Sequence, residues 1–208
     1  LKNGVLYCTT GESYFRDAVI SAKSLKKSNP DVSICIFREE PNFNNEIFDI
    51  HLPLFDTIEE KEWVEQYYKK QPLKWMLKVI ASHKSPFIRT IHLDADTFVT
   101  KTINELFHLL TKNDVFFTHL DWVKQVNGKN VGIHGLRVPD AVNSGVYGFT
   151  NSSAAKNLIG KKWREDCEKY NFEKNEQAII TLWIRNPEKY LNDVKWKIVD
   201  NVVYNATR

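Results

Sequence analysis

The stretch "IHLDADTFVT", residues 91–100, places two carboxylates at the end of an apolar run. Asp94 and Asp96 are separated by one residue, and alternate side chains of a strand point to the same face. We therefore expect both carboxylates to project side by side, where like charges repel each other unless a cation lies between them. Mn²⁺ or Mg²⁺ would suit such oxygen ligands and would also bind phosphate oxygens of a substrate. The alternative for so short a pattern is a solvated strand end or a helix cap.

The segments around this stretch predict parallel strands joined by a helix. "GVLYCTT" is a short apolar run, residues 13–27 have helical spacing with Ser13 as a cap, and "VSICIF" is a second strand. This β-α-β opening favours a parallel pair with a right-handed crossover, and "FIRTIHLDAD" is expected to be a central strand. Ligands of such sheets bind beyond the carboxyl ends of the strands, where "CTTGES" and "DADT" both fall.

The rest of the chain continues the alternation of helices and strands. Residues 58–83 are predicted to be mostly helical with an interruption near Pro72, "INELFHLL" a short helix, and "DVFFTHL" and "NSGVYGFT" strands. Helices are expected over 152–170 and 175–183, and "WKIVDNVVY" as extended structure. We predict a single α/β domain over residues 1–208, with a mixed, mostly parallel central sheet flanked by helices.

Composition excludes several classes of protein. The 208 residues are 42% hydrophobic and 26% charged, and the net charge of +3 is too small to indicate a nucleic-acid partner. No apolar run approaches the 18 residues that a transmembrane helix needs. Cys8, Cys35 and Cys167 match neither a zinc site nor a disulfide framework, and Cys8 and Cys35 are expected in the core. A reducing compartment, and hence the cytoplasm, is the expectation.

Four segments, in order along the chain, resemble one enzyme family. "LDADTFVTKTINELF" is similar to the metal-binding strand of GT-A glycosyltransferases, especially the glycogenin-like and galactosyltransferase group called family 8. "YCTTGESYFRDAVISAKSLKKSNP" resembles the opening strand and helix of that group. "PDAVNSGVYGFT" and "NEQAIITLW" resemble its later sugar-site segments. The resemblance implies a GT-A (Rossmann-like) fold, with a nucleotide-binding part over about 1–100 and an acceptor or sugar part over about 101–208.

The resemblance also implies roles for individual residues. Asp94 and Asp96 would hold Mn²⁺ (or Mg²⁺) against the diphosphate of a nucleotide sugar, with Lys78 offsetting phosphate charge and Lys74 as the fallback. Tyr14 would offer a stacking face, with a plain helix-surface aromatic as the alternative. The implied donor-binding residues are Thr9, Thr10, Tyr14, Lys78, Ala95, Asn143, Ser144 and Gly145. The residues implied at the reacting sugar are Asp140, Glu176 and Gln177.

Two departures from the family pattern affect the sugar and the metal. Glu176 stands where the family has aspartate, so the carboxylate lies one methylene further out and the donor sugar is left open. The family usually supplies a third metal ligand from a late His-x-Gly-x-x-Lys-Pro-Trp segment, which these 208 residues do not contain. His92 alternates with Asp94 and is a possible substitute.

The expected activity is metal-dependent transfer of a hexose from a nucleoside diphosphate sugar, foremost a UDP-sugar, to a carbohydrate or glycoconjugate acceptor. The resemblance favours retention of the anomeric configuration, while Asp140 or Glu176 could be the base of an inverting enzyme. One alternative is a nucleotide-sugar-binding module without turnover. Another is a haloacid-dehalogenase-type phosphatase, whose Asp-x-Asp-x-Thr motif is matched imperfectly because Phe98 stands at the threonine position.

Overall fold

A computed structural model describes residues 2–39, 45–69, 76–119, 123–126, 129–132, 141–171 and 174–199. Strands and helices are interspersed along this part of the chain. The strands are β1 (Asn3–Thr9), β2 (Ser33–Arg38), β3 (Ile50–Pro53), β4 (Arg89–Leu93), β5 (Val115–His119), β6 (Val123–Val126), β7 (Lys129–Gly132), β8 (Val142–Thr150) and β9 (Trp196–Val199). The α-helices are α1 (Gly11–Ser28), α2 (Ile58–Tyr68), α3 (Leu77–His83), α4 (Asn104–Leu109), α5 (Ser153–Lys156), α6 (Trp163–Lys169), α7 (Glu176–Arg185) and α8 (Pro187–Tyr190).

Seven of these strands form one mixed sheet in the order β3-β2-β1-β4-β8-β5-β9. The pairs β1–β2, β2–β3, β1–β4 and β5–β9 are parallel, and β8 runs antiparallel to both β4 and β5. The carboxyl ends of β1 and β4 therefore meet the beginning of β8 at the same edge of the sheet. The predicted α/β fold with a mostly parallel sheet is confirmed.

Both faces of the sheet are covered, which explains why its strands are apolar without alternation. One buried cluster includes Val5, Ile91 and Phe15 of α1, and the opposite cluster includes Leu6, Tyr147 and Trp163. The first cluster also contains residues of α4, and the second contains residues of α3, α6 and α7. Within the described residues, no helix is long and apolar enough to span a bilayer.

The chain turns sharply from β1 into α1 at Thr10 and Gly11. Gly11 has φ +71°, a left-handed conformation that side chains with a Cβ rarely adopt. The N-cap of α1 is Thr10, so the prediction that Ser13 caps this helix was wrong. The Thr10 hydroxyl instead donates a hydrogen bond to the Glu39 carboxylate, which ties the ends of β1 and β2 together.

The predicted helix over 152–170 is present but is not uniform. Between α5 and α6 the chain forms a π-helical turn over Asn157–Lys162, and Gly160 lies against His83 of α3. An added Cβ on Gly160 would lie 2.1 Å from His83 Nδ1, so a larger residue would require the exposed His83 ring to move.

Several predictions of elements need correction or lie outside the described residues. β3, β6 and β7 were not predicted, and β4 ends at Leu93, before the two aspartates. Pro72 lies outside the described residues, as does the end of the predicted last strand after Val199. Cys35 is buried as expected and Cys8 is half-buried, and no disulfide joins the three cysteines.

Candidate functional site: a cavity at the carboxyl edge of the sheet

A cavity of about 130 Å³ opens at the carboxyl ends of β1 and β4. It is lined by residues far apart in sequence: Cys8, Thr9, Thr10, Tyr14, Leu77, Lys78, His92, Asp94, Ala95 and Asp96. Seven of these ten were assigned to the donor or the metal in the sequence. His92 was considered only as a substitute metal ligand, and Cys8 and Leu77 carried no signal for this role in the sequence.

Asp94 and Asp96 lie in a turn rather than in a strand. The Thr97 N–H donates to the Asp94 carbonyl over 3.1 Å, closing a turn that contains Ala95 and Asp96. The prediction that strand alternation aligns the two carboxylates was therefore wrong in its geometry. They still line the same cavity, because the turn begins at the last backbone contact of β4 with β8: the Asp94 N–H donates to the Gly145 carbonyl over 2.8 Å.

A β-bulge in β8 carries Ser144 and Gly145 toward this turn. Along β5, Phe117 pairs with Tyr147 while the next residue, Thr118, pairs with Asn143, so three residues of β8 bulge out of register. The Thr118 hydroxyl donates over 2.9 Å to the carbonyl of Asn143, just before the bulge, and lies 2.9 Å from that of Val146, the last residue of the bulge. Bulges of this kind are common beside active sites because they redirect side chains.

Lys78 connects the bulge to the first aspartate. Its Nζ lies 2.6 Å from Asp94 Oδ1, 3.5 Å from Glu176 Oε1 and 3.3 Å from the Ser144 carbonyl. The residue is 5% exposed, so the alternative of an exposed helix lysine does not apply. Burial alone would lower the pKa of Lys78, but the charges of Asp94 and Glu176 raise it, so the ammonium stays charged.

Asp94 and Asp96 differ in their electrostatic environments. Burial would raise the pKa of Asp94, but the Lys78 ammonium and a His92 hydrogen bond outweigh it and hold this pKa well below its usual range. The pKa of Asp96 is raised, first because protein replaces part of the water around its carboxyl group, although the side chain remains exposed, and then by the charge of Asp94. The repulsion predicted between the carboxylates therefore acts on Asp96, while Lys78 compensates Asp94.

His92 forms a hydrogen bond with the Asp94 carboxylate. Its Nε2 lies 3.1 Å from Asp94 Oδ1, and its ring stacks on Tyr147 with the centroids 4.7 Å apart. Burial lowers the pKa of His92, so the ring is neutral and donates its Nε2–H to the carboxylate. That nitrogen is thus directed at Asp94 rather than toward a cation.

Glu176 and Gln177, which were predicted at the reacting sugar, form a second group with Ser144 next to Lys78. The Ser144 hydroxyl donates to Glu176 Oε1 over 2.9 Å, and the Ser144 N–H donates to Gln177 Oε1 over 3.2 Å. The Gly145 N–H donates to Asn143 Oδ1 over 2.7 Å. Glu176 begins α7 and is 3% exposed, so this carboxylate is buried beside the bulge. Asp140 and Lys74 lie outside the described residues.

The two aspartates could supply some, but not all, of the ligands that a divalent cation needs. Both contacts of the Asp94 carboxylate go to Oδ1, and no hydrogen bond to Oδ2 occurs within the described part of the chain. The Asp94 side chain is 36% exposed, and Asp96 is exposed at the same cavity. Among the described residues, no group of three or more His, Cys, Asp or Glu is arranged to hold a metal ion. Two carboxylates could therefore bind a cation only together with water or substrate oxygens.

Comparison of the sequence with family models and with curated proteins finds no match. Comparison of the structure with solved structures finds similar proteins. The glycosyltransferase GlyE of Streptococcus pneumoniae TIGR4 has a TM-score of 0.57 at 18% identity, over 96% of this chain and 46% of GlyE. An active-site variant of LgtC has a TM-score of 0.57 at 12% identity, over 99% of this chain and 79% of LgtC.

A glycosyltransferase involved in glycosylation of the major capsid of PBCV-1 has a TM-score of 0.55 at 12% identity, over 97% of this chain and 82% of that protein. At these identities the likeness shows the fold, which is the GT-A fold of glycosyltransferases. This chain spans less than half of the length of GlyE.

Proposed function

We propose that this chain transfers a hexose from a nucleoside diphosphate sugar to a carbohydrate or glycoconjugate acceptor, in a metal-dependent reaction with UDP-sugars as the first donors to test. The observation that supports this most is the cavity, which collects Thr9, Thr10 and Tyr14 from β1 and α1, Lys78 from α3, and both aspartates. The galactosyltransferase LgtC, which has the same fold, has been solved with donor and acceptor sugar analogues.

Each part of the cavity fits one part of the donor. The Tyr14 ring can stack on the base, and the charged Lys78 can bind phosphate oxygens. Asp94 and Asp96 would hold Mn²⁺ or Mg²⁺, which when bound stabilises negative charge on the departing diphosphate. Glu176 lies 3.5 Å from Lys78 Nζ, and Ser144 hydrogen-bonds to Glu176 and Gln177, so we assign the donor sugar to this side of Lys78. The resemblance of the sequence to family 8 favours retention of configuration.

Donor hydrolysis tests this proposal without knowledge of the acceptor. Transferases commonly release sugar slowly to water, so radiolabelled UDP-, GDP- and dTDP-hexoses are incubated with the protein and Mn²⁺, and free sugar is measured. Slow Mn²⁺-dependent release from one donor supports the proposal. Binding without release would instead support a non-catalytic module, and hydrolysis of phosphomonoesters a phosphatase.

Replacing Tyr14 with alanine is expected to weaken nucleotide binding more than it slows the reaction. Tyr14 is 53% exposed and lines the cavity, so the substitution removes the stacking face without opening the core. Stacking on a base is worth about 1–3 kcal/mol, which corresponds to a rise on the order of tenfold in both donor KM and UDP Kd. Because stacking is shared by ground and transition states, kcat should change little.

Tyr14→Phe is the matched control, since it keeps the ring and should bind UDP almost as the wild type does. An unchanged donor KM in Tyr14→Ala would show that this side chain is only a surface aromatic.

A further inference from the structure

Lys78 is a buried cation placed between two carboxylates. Its side chain is 6% exposed, and Nζ lies 2.6 Å from Asp94 Oδ1 and 3.5 Å from Glu176 Oε1. Its other contacts are the Ser144 carbonyl at 3.3 Å and hydroxyl at 3.4 Å. This ammonium therefore provides a positive charge directly beside Asp94.

Glu176 has unused capacity to accept a hydrogen bond. Its Oε1 accepts from Ser144, but its buried Oε2 has no hydrogen-bond partner within the described part of the chain. Glu176 Oε1 is already 3.5 Å from the ammonium. A rotation of the Lys78 side chain could therefore exchange one carboxylate partner for the other without moving the backbone.

We propose that Lys78 is the internal counter-ion of the metal site, and that it makes cation binding conditional on the diphosphate. This inference rests on the proposed function, because it takes Asp94 and Asp96 as the ligands of a divalent cation. Without a diphosphate, Lys78 neutralises Asp94 and repels a second cation at the same carboxylate. A bound diphosphate adds negative charge, so that Lys78 can pair with Glu176 and phosphate while Asp94 accepts the cation.

The charges at the site determine whether loss of Lys78 raises or lowers the affinity for Mn²⁺. With Lys78 the charges of Asp94, Asp96, Glu176 and the ammonium sum to −2, and without it the three carboxylates sum to −3. Removing a positive charge this close to a cation site should raise the affinity for Mn²⁺ alone on the order of tenfold or more, even when solvent screens much of the interaction. The same substitution should weaken binding of UDP alone, since the diphosphate loses a cationic partner.

The test measures Mn²⁺ binding without nucleotide in the wild type, Lys78→Met and Lys84→Met, using the electron paramagnetic resonance signal of unbound Mn²⁺. Lys84 is a matched control: its side chain is 12% exposed and ion-paired with Asp56 at 2.9 Å and Glu60 at 2.6 Å, but it does not line the cavity. Lys78→Met is expected to bind Mn²⁺ at least about tenfold more tightly than the wild type. Lys84→Met should show no change.

Mn²⁺ affinity in Lys78→Met that equals or falls below that of the wild type overturns the proposal. If this variant folds poorly, Lys78→Gln and the thermal shift provide the second measurement: Mn²⁺ should raise Tm more in either Lys78 variant than in the wild type. This inference alone is overturned if UDP binding by the wild type requires Mn²⁺ but Lys78→Met has an unchanged Mn²⁺ affinity. UDP binding that does not depend on Mn²⁺ in the wild type overturns the proposed function as well.

Discussion

Asp94→Asn and Asp96→Asn are both expected to lose donor hydrolysis, by at least about a hundredfold, while their thermal stabilities move in different directions. The shared loss follows from the proposed role of both carboxylates as ligands of a cation that stabilises the leaving diphosphate, which is worth several kcal/mol in the transition state. Asparagine keeps the volume of the side chain, so the stability change reports the charge.

The two variants differ in stability because only Asp94 has a cationic partner. Its pKa is lowered in the folded state, so its charge contributes stability that is present above the unfolded pKa and is lost as the pH falls. Asp94→Asn leaves the buried Lys78 without its nearest partner. Breaking a buried pair costs about 3–5 kcal/mol, and the 36% exposure of Asp94 reduces the expected loss to about 1–3 kcal/mol at pH 7.

The charge of Asp96 is expected to have the opposite effect on the stability of the protein. Its pKa is raised in the folded state, so its charge destabilises the protein above the unfolded pKa, and Asp96→Asn should hold or raise Tm at pH 7. Thermal melts and donor hydrolysis at pH 7 check both variants. Asp56→Asn is the control, since this aspartate pairs with Lys84 away from the cavity and should keep full activity. Near-normal hydrolysis in either cavity variant, or equal shifts in Tm, would contradict the assignment.

The order of elements followed from local patterns. The β-α-β opening, the short helix after the aspartates and the helix that begins at Glu176 all depend on apolar spacing within a few residues, and the last of them also on its Asn175 cap. β3 was not predictable in this way, because it is a four-residue edge strand held by Asp49, whose carboxylate accepts from the Ile34 N–H over 2.7 Å. β6 and β7 pair antiparallel, and the sequence between them contains an Asn-Gly pair in "VKQVNGKNVG", which is a signal typical of a hairpin.

The sequence predicted most of the residues that line the cavity, but it did not predict the contacts that hold them in place. "DADT" indicated two neighbouring carboxylates, but the strand that would have aligned them stops at Leu93, and a turn presents them instead. The ion pairs of Lys78 join residues 16 and 98 positions apart, 94 − 78 and 176 − 78, so no local period could reveal them. The bulge at Ser144 likewise depends on Thr118 of a neighbouring strand.

Glu176→Gln is expected to lower kcat by about a hundredfold and to raise the donor KM by far less, on the order of tenfold at most, because Lys78 loses the carboxylate with which it is proposed to pair when the diphosphate binds. Glu176 does not line the cavity where the nucleotide is proposed to bind, but contacts Lys78 and Ser144, on the side proposed for the sugar. A buried acceptor without a donor costs about 1–3 kcal/mol, and Oε2 of this carboxylate is such an acceptor within the described residues. We expect a hydroxyl of the donor sugar to supply the missing hydrogen bond during the reaction.

Two further variants make the expectation for Glu176 specific. Glu176→Asp keeps the charge but withdraws the carboxylate by one methylene from Ser144 and Lys78, so kcat should still fall, on the order of tenfold. Glu60→Gln is the matched control: its side chain is 16% exposed and paired with Lys84 at 2.6 Å, so its loss should leave kcat unchanged. Steady-state hydrolysis of the donor, with UDP affinity measured by calorimetry, separates the two effects. A Glu176→Gln variant that altered UDP affinity alone, with kcat preserved, would place this carboxylate at the nucleotide instead of the sugar.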